Sequence, residues 1–159
     1  MDPCIKQSSE KFVDLSHARF DEQRKVMSES VARGECPFCL EVFMQYHAQP
    51  ILKQGVHWLL THNRWPYKHS RPSLLLIYKT HVENLGDVIT TSGSELMLLL
   101  QWAEREFKIK SGAVVMRFGD IRINGATVAH LHCHIVVPDI TDPTFETLRV
   151  KVGILPTKE

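Results

Sequence analysis

The run His130-Leu131-His132-Cys133-His134-Ile135-Val136, closed by Val137 and Pro138, decides the fold. Histidine alternates with apolar residues, and successive side chains on a strand point to opposite faces. The pattern predicts a strand over residues 128–137, ended by Pro138. His130, His132 and His134 then share one face, with about 6.5–7 Å between consecutive Cα atoms at a rise of ~3.3 Å per residue. Leu131, Cys133 and Ile135 point the other way, into a core. Three imidazoles on an otherwise apolar strand call for partners, because burying an unpaired polar group costs a few kcal/mol. Three readings stand at this point. A solvated strand face would normally mix in Lys, Glu and Thr. A three-histidine metal site is awkward to build from one strand in tetrahedral geometry. In the third, the histidines have different jobs and one is an uncharged nucleophile.

Outward from this run, Asn124-Gly125 is a turn signal before the strand. Residues 113–118 read as a strand behind the turn Ser111-Gly112. Residues 93–108 read as a helix: Ser92 and Glu95 have capping-box spacing, and Leu96, Leu99, Leu100, Ala103 and Phe107 keep one apolar stripe. The apolar runs 56–61 and 74–78 are strand candidates, with 63–67 a loop because Pro66 pushes its predecessor out of helical space. Residues 16–33 read as a charged helix carrying Phe20, Met27 and Val31, with Gly34 placed as its stop. The first dozen residues are polar and expected to be loose. Few helices among several strands give an α+β class built on an antiparallel sheet.

The totals set limits. The chain has 159 residues, enough for one domain with a core. It is 43% hydrophobic and 23% charged with a formal net charge of +1, a soluble globular composition without a polyanion's demand for basic charge. Extended nucleic-acid binding and membrane association are not expected, since Lys and Arg do not cluster and no apolar run nears the roughly 20 residues of a membrane span. The start lacks a signal-peptide pattern, so a cytoplasmic location is expected. In a reducing compartment Cys36-Pro37-Phe38-Cys39 is a metal-binding or catalytic pair before it is a structural disulfide. A thiol-disulfide motif should follow a strand, whereas this pair follows a helix-like stretch. Zinc fits better, and two thiolates then need two more ligands, most often histidines. His47 lies close enough in sequence to be a spare candidate.

The run from His130 to Val136 resembles the His-x-His-x-His-x-x signature of the histidine-triad family of nucleotide hydrolases and transferases, and other segments resemble that family in the same order. Cys36-Pro37-Phe38-Cys39 is similar to the cysteine pair of its zinc-containing branch, Asn63-Arg64-Trp65-Pro66-Tyr67 to its nucleoside loop, and Leu74–His81 to the strand ending in a histidine. Gly125-Ala126-Thr127-Val128 occupies the phosphate-loop position, with Ala126 where glutamine is common. The resemblance implies a single domain over 1–159 with its core at 34–138, an N-terminal helical extension at 1–33 and a tail at 139–159. The implied fold is a mainly antiparallel sheet of about five strands with helices packed on it.

By the same resemblance His132 attacks the α-phosphorus of a dinucleoside polyphosphate or a nucleoside phosphoramidate, forming a nucleotidyl-histidine. His134 and Thr127 assist catalysis, and Asn63, Gly125, Thr127 and His134 hold substrate. Cys36, Cys39, His81 and His130 bind a structural zinc, and the chain is a homodimer. A histidine at position 134 favours water as acceptor over a transferase or phosphorylase reaction. A zinc-stabilised module that binds nucleotide without turnover is the alternative from another class.

Overall fold

The computed structural model describes Cys4 and residues 12–153. Of the first dozen residues, read as loose, only Cys4 and Phe12 are described, and Phe12 is not loose: it is buried beside Met27, and its carbonyl accepts the Ala129 N–H at 2.8 Å. Five strands form one antiparallel sheet in the order β1-β2-β3-β5-β4. They are β1 (Ile51–Gln54), β2 (Trp58–His62), β3 (Ser70–Tyr78), β4 (Ala113–Arg117) and β5 (His132–Pro138). Four helices accompany them: α1 (Asp21–Arg33), α2 (Leu40–Tyr46), α3 (Ser92–Glu106) and the single turn α4 (Ile121–Asn124). The α+β class with about five mainly antiparallel strands is as expected.

The alternation read in the histidine run sorts the sheet into two faces. Leu131, Cys133, Ile135 and Val137 pack with Trp58, Leu60, Leu74 and Leu76 under α3, whose Leu99 and Ala103 are buried there. Leu59, Leu75 and Ile77 point to the opposite face, under Met27 of α1 and Phe43 of α2. The register sets Ile77 opposite His132 and Leu75 opposite His134. Cross-strand partners project to the same side, so both histidines lie on the α1–α2 face.

Four expectations need correction. The strand begins at His132, so His130 precedes it instead of sharing it. The reason is local: the Leu131 N–H donates to the Val82 carbonyl and the Tyr78 N–H to the Leu131 carbonyl, which holds this approach off the β4 ladder. Ser92 does not cap α3; Thr91 is the N-cap and offers no side-chain bond. Glu95 instead turns to the β1–β2 hairpin and accepts the N–H groups of Val56, His57 and Trp58 at 2.9, 2.9 and 2.6 Å. Three hairpin donors bonded to one carboxylate outweigh a single capping bond. In α1 only Met27 of the expected stripe is buried; Phe20 and Val31 are exposed, and Gln23 and Ser30 face inward with Met27. The helical stretch also starts later than residue 16, with a 3-10 turn at Leu15–His17 before it. Gly34 stops α1 as read, at φ 65°, a left-handed conformation that costs glycine little.

Candidate functional site

Two groups of side chains meet at the N-terminal end of β5. In the first, ligand atoms of Cys36, Cys39, His81 and His130 all lie within 4.8 Å of one another. Cys36 Sγ is 3.4 Å from His130 Nδ1, Cys39 Sγ is 3.5 Å from His81 Nδ1, and the two Nδ1 atoms are 3.2 Å apart. Their outer partners explain which nitrogen faces inward. His130 Nε2 is 2.6 Å from the Tyr78 carbonyl, an acceptor only, so Nε2 carries the proton and Nδ1 presents its lone pair. His81 Nε2 lies 3.4 Å from the Glu83 carboxylate, which favours the same arrangement. A ring whose far N–H donates to a carbonyl or carboxylate is the usual setting of a metal-bound histidine. Burial pushes His130 down to about 3, against the raising effect of the Tyr78 carbonyl. Two sulfurs and two unprotonated imidazole nitrogens at these separations are a donor set suited to a four-coordinate ion.

Cys39 has a second partner that the sequence reading missed. Its Sγ is joined to that of Cys4, with Cα atoms 6.1 Å apart and a sequence separation of 35. Cys36 is outside this disulfide, so the expected redox alternative, a Cys36–Cys39 bridge, is not the one formed. A sulfur in a disulfide is no thiolate, and metals take the thiolate. Cys39 can therefore serve Cys4 or a metal ion, but not both. His47, the spare ligand candidate, is not in this cluster: it stacks on Phe43 with centroids 4.2 Å apart, and its Nε2 is 2.8 Å from Thr61 Oγ1.

The second group lines a cleft that opens to solvent. His132 and His134 form its floor with ring centroids 5.2 Å apart. His132 Nδ1 is 2.6 Å from the His130 carbonyl, so Nδ1 holds the proton and Nε2 is the free nitrogen. Burial pushes His132 down to about 4, and Arg117 and Arg19 act in the same direction. His134 is also held well below the ordinary histidine value, chiefly by burial and then by His132. Both rings are thus neutral at pH 7. Cys133, between them in sequence but on the opposite face, is pushed up to about 12 by burial and stays a thiol.

Asn63 sits at the cleft edge, its Oδ1 accepting the Trp65 N–H at 3.1 Å and its Nδ2 3.5 Å from His134 Nδ1. Gly125 ends α4 at φ 79° and, with Thr127, lies on the cleft wall. The Ala126 N–H between them donates to Asn124 Oδ1 at 2.7 Å, so this amide is already engaged. The structure therefore sorts the residues singled out in the sequence into a cluster (Cys36, Cys39, His81, His130) and a cleft (Asn63, Gly125, Thr127, His132, His134). Sequence reasoning missed Arg19 and Arg117, which stand in the cleft beside the histidines. Arg117 carried a faint signal, being a charge at the end of an otherwise apolar strand.

No family model matches the sequence, and no curated protein matches it. Solved structures do match. A histidine triad nucleotide-binding protein from Candida albicans superposes with a TM-score of 0.60 at 18% identity, over 78% of this chain and 87% of that one. A HIT family hydrolase from Clostridium thermocellum gives 0.51 at 20% identity over 69% and 95%. A histidine triad protein from Clostridium difficile gives 0.54 at 18% identity over 73% and 95%. The chain has the histidine-triad fold.

Proposed function

We propose that the protein is a histidine-triad nucleotide hydrolase that works at the α-phosphorus through a nucleotidyl-histidine on His132. The observation that carries this reading is the His132 tautomer, with Nδ1–H held by the His130 carbonyl and a neutral Nε2 directed to the cleft. In the reaction the Nε2 lone pair forms a bond to phosphorus, and the bond from phosphorus to the leaving group breaks with its electron pair on that group. The ring becomes cationic, and the His130 carbonyl stabilises it through Nδ1–H. Water then attacks the phosphorus, the P–N bond breaks, and His132 is regenerated with a nucleoside monophosphate released. His134 donates to a non-bridging phosphate oxygen, Thr127 and the Gly125 turn hold the phosphate, and Asn63 binds the ribose.

The metal in this reading is a structural zinc, which suits two thiolates and two imidazoles with all four positions filled by protein. Bound there, it would tie the residues before α2 to His81 and to the residue that holds the nucleophile's tautomer. The need for reduced thiols favours a cytoplasmic location. Among the described residues no helix is long and apolar enough to cross a membrane. The reading takes the chain as one domain with its core at 34–138. It also takes it as a homodimer, supported by the edge position of β4 with Val114 exposed, and by Met97 and Leu98 exposed on α3.

The test is turnover of a dinucleoside polyphosphate and a nucleoside phosphoramidate in heavy-oxygen water, with and without inorganic phosphate, read by mass spectrometry. Labelled nucleoside monophosphate supports the hydrolase. Unlabelled product formed only with added phosphate makes it a phosphorylase, and tight binding without product makes it a binding module.

A further inference from the structure

We infer that Arg19 and Arg117 form a second anion-binding subsite in the cleft, placed to hold phosphate beyond the one that His132 attacks. The inference rests on the nucleotide reading above and narrows its substrate to one whose leaving group carries phosphate.

The register brings Arg117 to this place. It stands directly opposite His132 in the β4–β5 ladder, on the same face, at a cross-strand separation of about 5 Å between Cα atoms. Its Nε and Nη2 donate to the Lys151 carbonyl at 3.0 and 2.8 Å, and Nη1 and Nη2 to Tyr67 Oη at 3.3 Å each. Arg19 arrives from the other side, two residues before α1. Its Nη2 donates to the Trp65 carbonyl at 2.6 Å, and its guanidinium carbon lies 4.1 Å from the Tyr67 ring centre. One tyrosine therefore holds both cations, one over its ring and one at its hydroxyl.

Among the described residues the partners of the two guanidinium groups are all neutral. Among the described residues neither forms an ion pair with a carboxylate, and no Asp or Glu lines the cleft. Arg64, also on the cleft wall, differs, since it pairs with Glu22. Like charges held around one side chain repel, and an anion placed between them reverses the sign. Guanidinium forks match phosphate oxygens in both charge and geometry. When the bond from the α-phosphorus to its bridging oxygen breaks, the electron pair and its negative charge leave on that oxygen. A leaving phosphate chain would carry this charge toward the two arginines, whereas the amine leaving from a phosphoramidate brings them no anion.

Calorimetry with inorganic tripolyphosphate tests the subsite without a nucleotide. The full chain should bind it, and Arg19→Gln and Arg117→Gln should each weaken binding about tenfold or more, with Arg117→Lys between the two extremes. Arg19 lies at the surface, so its variant still reads the subsite if Arg117→Gln melts early. In turnover, the ratio of kcat/KM for a dinucleoside tetraphosphate to that for adenosine phosphoramidate should fall in both glutamine variants. Failure of the wild-type chain to bind tripolyphosphate, or binding and a ratio that ignore both substitutions, would overturn the assignment. Tripolyphosphate binding that depends on both arginines, without binding of any nucleotide, would leave the subsite standing and remove the nucleotide reading instead.

Discussion

His130 and His132 are two residues apart, both buried, and each has one ring nitrogen 2.6 Å from a main-chain carbonyl. They nevertheless serve opposite regions. In His130 the occupied nitrogen is Nε2, so Nδ1 turns into the closed cluster with Cys36, which is fully buried. In His132 the occupied nitrogen is Nδ1, so Nε2 looks into the open cleft. Residue type, burial and the direction of the pKa shift are shared. What separates the two jobs is which carbonyl lies within reach of which nitrogen, because a neutral imidazole has one donor and one acceptor. The His130 carbonyl links the regions: the residue that faces the cluster with its ring fixes the His132 tautomer with its backbone.

The contrast makes its largest prediction in turnover. His132→Asn should lower the rate by about a thousandfold or more while leaving metal content and melting temperature close to wild type, because it removes the covalent route alone. Single-turnover assays beside metal analysis would show it, and substantial turnover in the variant would collapse the division of labour. His130→Asn should do the reverse. It should lose the metal and lower Tm by about 10 °C, since metal-binding free energy is folding free energy. At a temperature where it remains folded, it should retain more activity than His132→Asn. Calorimetry and metal analysis would settle the ranking, and a fully metallated His130→Asn would refute the cluster assignment.

A smaller effect tests the second use of Cys39. Because a disulfide to Cys4 and a metal–thiolate bond exclude one another, Cys4→Ser should protect the site from oxidation. After exposure to a mild peroxide, wild-type protein should release metal and gain the Cys4–Cys39 bridge by peptide mapping, while the variant should keep about twice as much metal or more. Equal release from both would show that Cys4 does not compete.

The features legible in the sequence are those that need only local chemistry. Alternation placed Leu131, Cys133 and Ile135 in one core and His132 and His134 on the other face. Gly34 stopped α1 because a left-handed residue there favours glycine. What stayed hidden depends on contacts between distant segments. The four residues of β1 have no alternation of their own and become a strand by pairing with β2. Nothing in the Ser92–Glu95 spacing shows that Glu95 will meet a hairpin about 38 residues earlier in the chain. Arg19 and Arg117 are 98 positions apart and meet in space through a tyrosine. The tautomers of His130 and His132 follow from the positions of two carbonyls, which no spacing rule reports.

The finest test of the contrast is Glu83, the outer partner of His81. Its carboxylate is 3.4 Å from Nε2, long for a charge-assisted bond, and it is partly open to solvent, so its influence should be modest. Glu83→Gln keeps an acceptor oxygen near the ring while removing the carboxylate charge. Outer partners of metal-bound histidines are worth about 10–100-fold in affinity, and this geometry argues for the lower end. A chelator-competition titration should therefore show metal affinity falling about tenfold. The metal-loaded variant should still form the His132 adduct, because the His130 carbonyl that holds the His132 ring does not depend on Glu83. Unchanged affinity would mean that the carboxylate plays no part in holding the His81 tautomer. A loss of the adduct with metal still bound would show that the cluster and the cleft are coupled by more than one carbonyl.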